Sequence, residues 1–179
     1  MHTINVLDKK FVITIPSEKI QSKISELADD LNKNYEGKKP VFLGILNGSF
    51  MFASDLFKRI KIDAQITFLK LASYQGTTSS GSVKQLIGLN QSLKDEHVII
   101  LEDIVDTGET LEAIMQQLIG YQPASIKTVS LLFKPEAYKK EIPLDYVGFE
   151  IPNDFIIGYG LDYDGFGRNY EDIYVVEEG

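Results

Sequence analysis

The sequence predicts an α/β fold in which helices flank a mostly parallel, twisted sheet, with an added small lobe formed by the chain termini. Val41–Leu46 is a continuous apolar run and residues 97–101 are apolar after His97, and both are typical of buried strands that helices cover on both faces. Strand and helix patterns alternate along the chain, which indicates right-handed crossovers between parallel strands. Hydrophobic residues make up 44% of the 179 positions, enough for one buried core, so we expect a single domain over residues 1–179.

Short apolar runs and helical spacings define the elements of the first half. Residues 11–15 are β-branched or aromatic, which predicts a strand. Ser17 is the expected N-cap of a helix that extends to about Tyr35, because apolar residues then recur at three- and four-residue steps. The other expected elements of this half are a strand at Val41–Leu46, a helix over 50–60 and strands over 62–71 and 83–89.

The second half alternates buried strands with one clear helix. A helix is expected over Glu109–Ile119, with Gly120 closing it. Residues 73–82 are small and polar and contain glycine, so we expect a mobile loop before this half begins. The other expected elements are strands over 97–101, 126–133, 147–149, 155–159 and Ile173–Val176.

Composition excludes several classes of protein. A formal net charge of −8 argues against a nucleic-acid partner, because such binding requires a clustered basic surface. The absence of cysteine excludes disulfides and thiol chemistry. No apolar run approaches the roughly 20 residues of a membrane span, and the first residues lack the pattern of a secretory signal. We therefore expect a cytoplasmic protein with no membrane partner.

Acidic residues follow the second apolar strand directly. Glu102 and Asp103 come after Leu101, and Asp106 begins an Asp-Thr-Gly turn that leads into a helix. The free N–H groups of a helix N-terminus bind anions, and glycine lets a ligand approach the backbone closely. Carboxylates only accept hydrogen bonds, so the adjacent pair suits a diol such as ribose, or a cation beside it. The alternative is that this turn simply caps the helix and the acids are solvated.

Residues 98–110 resemble the phosphoribosyl pyrophosphate signature of type I phosphoribosyltransferases, most closely in the hypoxanthine-guanine branch. The signature is two acids, two apolar residues and then Asp-Thr-Gly. The similarity extends from about Ile13 to Glu177. The resemblance implies the type I phosphoribosyltransferase fold with a hood lobe. It also implies a purine salvage enzyme that joins a 6-oxopurine base to phosphoribosyl pyrophosphate with the help of Mg²⁺.

The resemblance also implies roles for the residues of this signature. Glu102 and Asp103 would hold the ribose 2′- and 3′-hydroxyls, directly or through Mg²⁺. Asp106 would be the general acid/base near purine N7. The 5′-phosphate would be bound largely by backbone N–H groups of the residues that follow, which are Thr107, Gly108, Glu109 and Thr110. Some relatives have lysine at the position of Glu109, so we expect this acid to turn outward.

A second strand end resembles the pyrophosphate loop of the same family. The loop would comprise Leu46, Asn47 and Gly48, and the peptide after the leucine can be cis in this family. Many relatives have lysine where this chain has Asn47, which removes a cation and leaves the backbone donors. Arg168 would grip the pyrophosphate from the C-terminal region. Taken alone, residues 44–49 are equally compatible with an ordinary strand-turn-helix corner.

The base pocket implied by the resemblance lies between residue 134 and residue 163. Lys134 would donate to the exocyclic oxygen of the purine, and Phe155 would stack on its ring. Backbone groups of Ile156 would bind the base edge, and Asp162 would hold a second Mg²⁺, through water. Without the resemblance, Phe155 is more typical of a core residue and Lys134 of a surface lysine.

Residues 73–81 resemble the flexible lid of this family, with Ser73 and Tyr74 as its signature. The resemblance also implies a homodimer or homotetramer. Three alternatives stay open: a phosphoribosyltransferase for another base such as xanthine or a pyrimidine, a non-catalytic regulator that keeps the nucleotide pocket, and a generic phosphate-binding enzyme. The last is disfavoured because no Gly-x4-Gly-Lys-Ser/Thr stretch is present. The regulator would not need Asp106, the lid and the base pocket together.

Overall fold

Ten strands and three helices make up the part of the chain described by the computed structural model, which is residues 3–72, 84–89 and 91–177. The strands are β1 (Thr3–Val6), β2 (Lys9–Ile15), β3 (Val41–Leu46), β4 (Gln65–Ala72), β5 (Lys84–Ile87), β6 (His97–Val105), β7 (Ser125–Phe133), β8 (Tyr146–Glu150), β9 (Ile156–Ile157) and β10 (Ile173–Val176). The helices are α1 (Ser17–Asn34), α2 (Phe50–Phe57) and α3 (Glu109–Ile119). None of the helices in these ranges combines the length and apolar character that a membrane crossing needs.

The larger sheet has the strand order β5-β4-β3-β6-β7-β8. Five of its strands are parallel, and β5 pairs antiparallel with β4 at one edge. Gly44 of β3 is opposite Leu101 of β6, which is opposite Val129 of β7, so the carboxyl ends of the three central strands meet at one edge. The predicted α/β fold is confirmed, and this edge is where such sheets bind ligands.

Alternation along the strands divides the core into two layers. Phe42 of β3 packs with α1 and α2 on one face, whereas its neighbours Val41 and Leu43 pack with α3 on the other. Successive side chains of a strand point to opposite faces, so a strand covered on both sides must be apolar at every position. This explains why β3 has no polar residue.

The chain termini form the smaller lobe, which we call the hood. Its antiparallel sheet has the order β1-β2-β10-β9, and Val12 of β2 is opposite Val175 of β10. Phe11 and Ile157 are fully buried in its own small core. The predicted lobe of chain termini is therefore present, and the segment after β9 packs on the loop that follows β3, where Gly160 contacts Gly48.

Two local predictions about helices were wrong. Pro16 is the N-cap of α1, and Ser17 is instead its first residue. The backbone N–H of Ser17 donates to Asp172 Oδ1 at 2.7 Å, so a distant carboxylate replaces the expected local cap. Helix α2 ends at Phe57 and not near Ile60, because the chain tightens there into a turn in which Ile60 N–H donates to the Phe57 carbonyl.

Two predictions about strands also need correction. Strand β6 does not end at Leu101 but continues to Val105, because Glu102 pairs with Ser130 of β7 along the same ladder. Glu102 and Asp103 therefore belong to the strand. The strand expected over 155–159 contains only Ile156–Ile157, because the residues that follow it have positive φ angles.

Candidate active site

Two buried or half-buried carboxyl groups lie at the end of β6. Glu102 is 4% exposed, and burial, together with the charge of Asp103, raises its pKa well above the ordinary value. Burial also raises the pKa of Asp103 to about 6; the nearby Arg168 lowers it and Asp162 raises it. Removing carboxylates from water opposes their ionisation, so these groups are poised to receive a cation or hydroxyl donors.

A cavity of about 200 Å³ lies between the end of β6 and the start of α3. We call it the phosphate cup; it is lined by Glu102, Ile104, Val105, Asp106, Thr107, Gly108, Glu109, Thr110 and Leu111. N–H groups in the first turn of a helix lack intrahelical acceptors, so they can bind an anion in the cup. Glu109 lines the cup but is exposed to solvent, and that its side chain turns away from the phosphate stays a prediction.

Gly108 is required by the shape of the cup. Its φ is 86°, a left-handed conformation that favours glycine. A Cβ at this position would also lie 2.5 Å from Tyr138 Cε2 and 2.7 Å from Lys140 Cγ. The segment after β7 thus packs directly against the back of the cup and leaves no space for a side chain.

A second cavity of about 280 Å³ adjoins the phosphate cup. We call it the loop cavity; its lining comprises Ile45, Leu46, Gly48, Leu71, Glu102, Asp103, Ile104 and Thr110. Glu102, Ile104 and Thr110 line both cavities, so a ligand with groups at two ends could occupy them together. The Leu46–Asn47 peptide bond is cis, as the resemblance implied.

Close backbone packing fixes Gly48 between two other parts of the site. A Cβ on Gly48 would overlap the Asp103 carboxylate and would lie 2.5 Å from its Cγ. On the other side, a Cβ on Gly160 would overlap the carbonyl oxygen of Gly48. Both glycines are therefore needed for the loop to pass between β6 and the hood segment.

Arg168 and Asp162 lie together on the hood side of the loop cavity. The guanidinium of Arg168 forms an ion pair of 2.7 Å with Asp162 Oδ1 and donates to the Gly160 carbonyl at 2.6 Å. The other Asp162 oxygen accepts the Gly165 N–H at 2.7 Å. The fold thus brings both residues near Asp103, and both carboxylate oxygens of Asp162 already have protein donors.

Lys134 and Asp106 also form a pair. Lys134 is only 8% exposed, and its Nζ lies 3.3 Å from Asp106 Oδ2. The side chain of Asp106 is 46% exposed and lines the phosphate cup. The prediction that Lys134 follows a buried strand and enters the site agrees with this burial, which a solvated surface lysine would not show.

Phe155 presents an exposed aromatic ring beside the hood. It is 43% exposed and packs on Phe11 with ring centroids 6.2 Å apart and on Tyr163 at 5.6 Å in an edge-on geometry. Ile156 is buried and pairs with Val175 of β10. The exposed face of Phe155 is available for stacking on a planar ligand. The predicted lid residues Ser73 and Tyr74 lie outside the described residues.

A polar network behind the loop was missed by the sequence analysis. Asp55 of α2 accepts hydrogen bonds from Tyr159 Oη at 2.6 Å and from Gln21 of α1 at 2.8 Å. Burial alone would raise the pKa of Asp55, but hydrogen bonds from Lys58, Tyr159 and Gln21 outweigh it and hold the pKa below the usual range. Tyr159 stands directly before Gly160, so this network anchors the hood segment that packs against Gly48. No local sequence signal marks a contact between residues 104 positions apart.

The carboxyl groups of the site fit Mg²⁺. Its preferred ligands are carboxylate oxygens, and it usually binds one or two of them together with water and substrate phosphates. Glu102 and Asp103 supply such oxygens, and a divalent cation would offset the unfavourable burial of their charges. Within residues 3–72, 84–89 and 91–177 no three potential metal ligands converge.

Comparison with known proteins identifies the family. Residues 16–164 match the phosphoribosyl transferase domain, so the chain belongs to the phosphoribosyl transferase family. The hypoxanthine-guanine phosphoribosyltransferase of Lactococcus lactis is 43% identical over 158 residues, which are 88% of this chain and 86% of that protein. The bifunctional protein TilS/HprT of Listeria monocytogenes is 43% identical over 88% of this chain, which spans 24% of that longer protein. A crystal structure of a hypoxanthine-guanine phosphoribosyltransferase from Bacillus anthracis superposes with a TM-score of 0.88 at 38% identity, over 93% of this chain and 98% of the other.

Proposed function

We propose that this chain transfers the 5-phosphoribosyl group from phosphoribosyl pyrophosphate to N9 of hypoxanthine and guanine, giving IMP or GMP and pyrophosphate in purine salvage. The observation that carries the proposal is the pair of adjoining cavities that share Glu102 and Thr110. One is bordered by the N-terminus of α3 and suits the 5′-phosphate, and the other is bordered by Leu46 and Gly48 and suits the pyrophosphate. The similar proteins of Lactococcus lactis and Bacillus anthracis are named hypoxanthine-guanine phosphoribosyltransferases, which supports the choice of base.

The sugar of the substrate would span the two cavities. Glu102 and Asp103 accept hydrogen bonds from the ribose hydroxyls or hold Mg²⁺ beside them. When bound, Mg²⁺ supplies positive charge that offsets the charge of the pyrophosphate. The guanidinium of Arg168 lies beside the loop cavity, where it can exchange Asp162 for the pyrophosphate oxygens.

Asp106 would move the proton in this reaction. The bond between the anomeric carbon and the pyrophosphate oxygen breaks with its electron pair leaving on the pyrophosphate, and N9 of the purine forms the new bond. Positive charge then builds up on the imidazole ring, and Asp106 accepts the proton from N7. The Nζ of Lys134 lies 3.3 Å from this carboxylate, so it can donate to O6 on the same edge of the base.

The polarity of the base pocket favours a 6-oxopurine. An ammonium group only donates hydrogen bonds, so Lys134 is matched to a carbonyl oxygen and not to the amino group of adenine. Phe155 adds a stacking surface that accepts any planar purine ring. The choice among hypoxanthine, guanine and xanthine then depends on the 2-position, for which the buried backbone near Ile156 is the nearest candidate.

The direct test measures nucleotide formation from each base. The purified protein is incubated with phosphoribosyl pyrophosphate, MgCl₂ and hypoxanthine, guanine, xanthine, adenine or uracil in turn, and products are separated by chromatography. We expect IMP and GMP, with loss of activity when a chelator removes the metal. Product only from xanthine, adenine or uracil would replace the proposed substrates, and no product from any base would overturn the enzymatic proposal.

The role of Asp106 has its own test. We expect Asp106→Asn to lower kcat by at least about tenfold with little change in KM, because general acid–base groups contribute roughly 10²–10⁴-fold. Asp145→Asn is the matched control, since Asp145 also pairs with a lysine, Lys127 at 2.7 Å, but near the start of β8 and away from the site. Wild-type kcat in Asp106→Asn would refute the assignment.

We further propose that residues 1–179 act as one catalytic unit in the cytoplasm, as a homodimer or homotetramer. A chain without cysteine does not depend on an oxidising compartment. Light scattering during gel filtration measures the assembly directly, and a monomeric mass would contradict this part of the proposal.

A further inference from the structure

An ion pair lies behind the phosphate cup. Lys140 Nζ is 2.6 Å from Glu112 Oε2, and Glu112 belongs to the first turn of α3, the helix whose N-terminus borders the cup. A second acid, Glu109, stands in the same turn. Lys140 interacts electrostatically with both acids. The charge at this end of the helix therefore depends on Lys140.

Two acids in this turn create a conflict. Carboxylates near a helix N-terminus interact favourably with the helix dipole. Their negative charge, however, partly cancels the positive potential that would otherwise attract an anion. A phosphate monoester carries close to two negative charges at neutral pH, so unpaired carboxylates of Glu109 and Glu112 would repel it. The other acids on the lining of the cup, Glu102 and Asp106, add to this repulsion.

The backbone holds Lys140 against the cup. The N–H of Lys139 donates to the Thr107 carbonyl at 3.2 Å, which fixes this segment to the loop that forms the cup. A Cβ on Gly108 would lie 2.7 Å from Lys140 Cγ, so the lysine stem covers the back of the same peptide. The Lys140 side chain is thus partly buried at a fixed place, and its ammonium reaches Glu112 from there.

We propose that Lys140 sets the affinity of the site for the 5′-phosphate by neutralising Glu112, without touching the phosphate itself. This inference rests on the proposed function, because it assumes that a sugar phosphate binds in the cup. Lys140 is a positioning residue that holds the Glu112 carboxylate through their hydrogen bond. While the pair is intact, the positive charge of Lys140 offsets most of the repulsion between Glu112 and the phosphate. The inferred ligand class is a nucleoside 5′-monophosphate or the matching end of phosphoribosyl pyrophosphate.

The test is a double-mutant cycle on the binding of IMP, measured by calorimetry at low ionic strength. Lys140→Met exposes the charge of Glu112 and should weaken IMP binding by about fivefold, the size of effect that charges near a helix end produce. Glu112→Gln alone should bind IMP at least as tightly as wild type, and the double variant should return to within about twofold of wild type. Lys140→Arg, which keeps the charge, should retain the affinity.

Controls separate this charge effect from a loss of structure. Pyrophosphate, which belongs in the loop cavity, should bind Lys140→Met with much less change than IMP does, and the IMP difference should shrink in about 0.5 M salt. Lys127→Met breaks an ion pair of similar length, 2.7 Å, away from the site and should leave IMP binding unchanged. Lys140→Met with wild-type affinity, or a double variant as weak as Lys140→Met, would overturn the inference. Absence of IMP binding and nucleotide formation in wild type would instead overturn the proposed function.

Discussion

Gly48→Ala tests the packing of the loop after β3, which is the proposed pyrophosphate loop, against β6. The added Cβ would overlap the Asp103 carboxylate and lie 2.5 Å from its Cγ, whereas ordinary contact begins at 3.4 Å, so the loop or the carboxyl group must move by more than about 1 Å. Asp103 extends from a paired strand, and Gly160 blocks the loop on its other side. A misplacement of this size in an active site can lower the rate by about 10²-fold, and the overpacking should cost about 1–3 kcal/mol of stability.

The assay for this variant is the steady-state rate of nucleotide formation as a function of phosphoribosyl pyrophosphate, together with thermal unfolding. Gly120→Ala is the control, because Gly120 lies at the far end of α3 with a φ of −63°, and the nearest atom to its added Cβ is 3.3 Å away. We expect kcat/KM to fall about 100-fold in Gly48→Ala and to stay near wild type in Gly120→Ala. A Gly48→Ala variant that is folded and within about threefold of wild-type kcat/KM would refute the steric argument.

Three further predictions concern ionisable groups. Lys134→Ala should raise the KM for hypoxanthine more than it lowers kcat, because it removes a donor to the base; an unchanged KM would count against that role. Asp55→Asn should lower the melting temperature most above pH 3.8. The lowered pKa of Asp55 in the folded protein gives stability that is present above the ordinary aspartate pKa and is lost as the pH falls through the folded-state pKa. Equal melting curves of variant and wild type at neutral pH would contradict this prediction. Glu102→Gln should stabilise the free protein more at about pH 8 than at about pH 5. Because the folded-state pKa of Glu102 is raised, the wild-type protein loses stability as the pH rises above 4.5, and the glutamine variant does not. Calorimetric melting measures the difference between the two proteins, and a difference that does not change with pH would contradict this prediction.

Local patterns were sufficient for three elements, which are β3 of the main sheet, helix α3 and β10 of the hood. Val41–Leu46, Glu109–Ile119 and Ile173–Val176 have the predicted bounds, because apolar runs and helical spacing report burial by neighbouring layers. The end of β6 could not be predicted this way. Acidic residues are poor strand formers, but the ladder from Glu102 to Ser130 and onward holds them in extended conformation regardless of propensity.

Contacts between distant segments account for most of the site features that the sequence did not reveal. The donor-acceptor pair of Ser17 and Asp172 and that of Tyr159 and Asp55 join parts of the chain separated by 155 and 104 positions. No periodicity encodes such pairs, since each partner is locally ordinary: a first helical residue, a loop acid, a helix acid or a buried aromatic residue. The residues proposed to bind ligand groups were easier to identify, because the resemblance covers them as contiguous motifs.

The two adjacent acids of β6 share the loop cavity but differ in their other contacts. Successive side chains of a strand point to opposite sides, and of this pair only Glu102 lines the phosphate cup, whereas only Asp103 packs on Gly48. Both border the loop cavity, where the ribose would lie between them. The extension of β6 therefore has a second consequence besides burying two charges. The pairing of Glu102 and Ile104 with β7 fixes the backbone on both sides of Asp103, so one strand would position both the proposed ribose site and the loop that contains Gly48. The raised pKa values are the thermodynamic consequence of holding both acids there before a cation or sugar arrives.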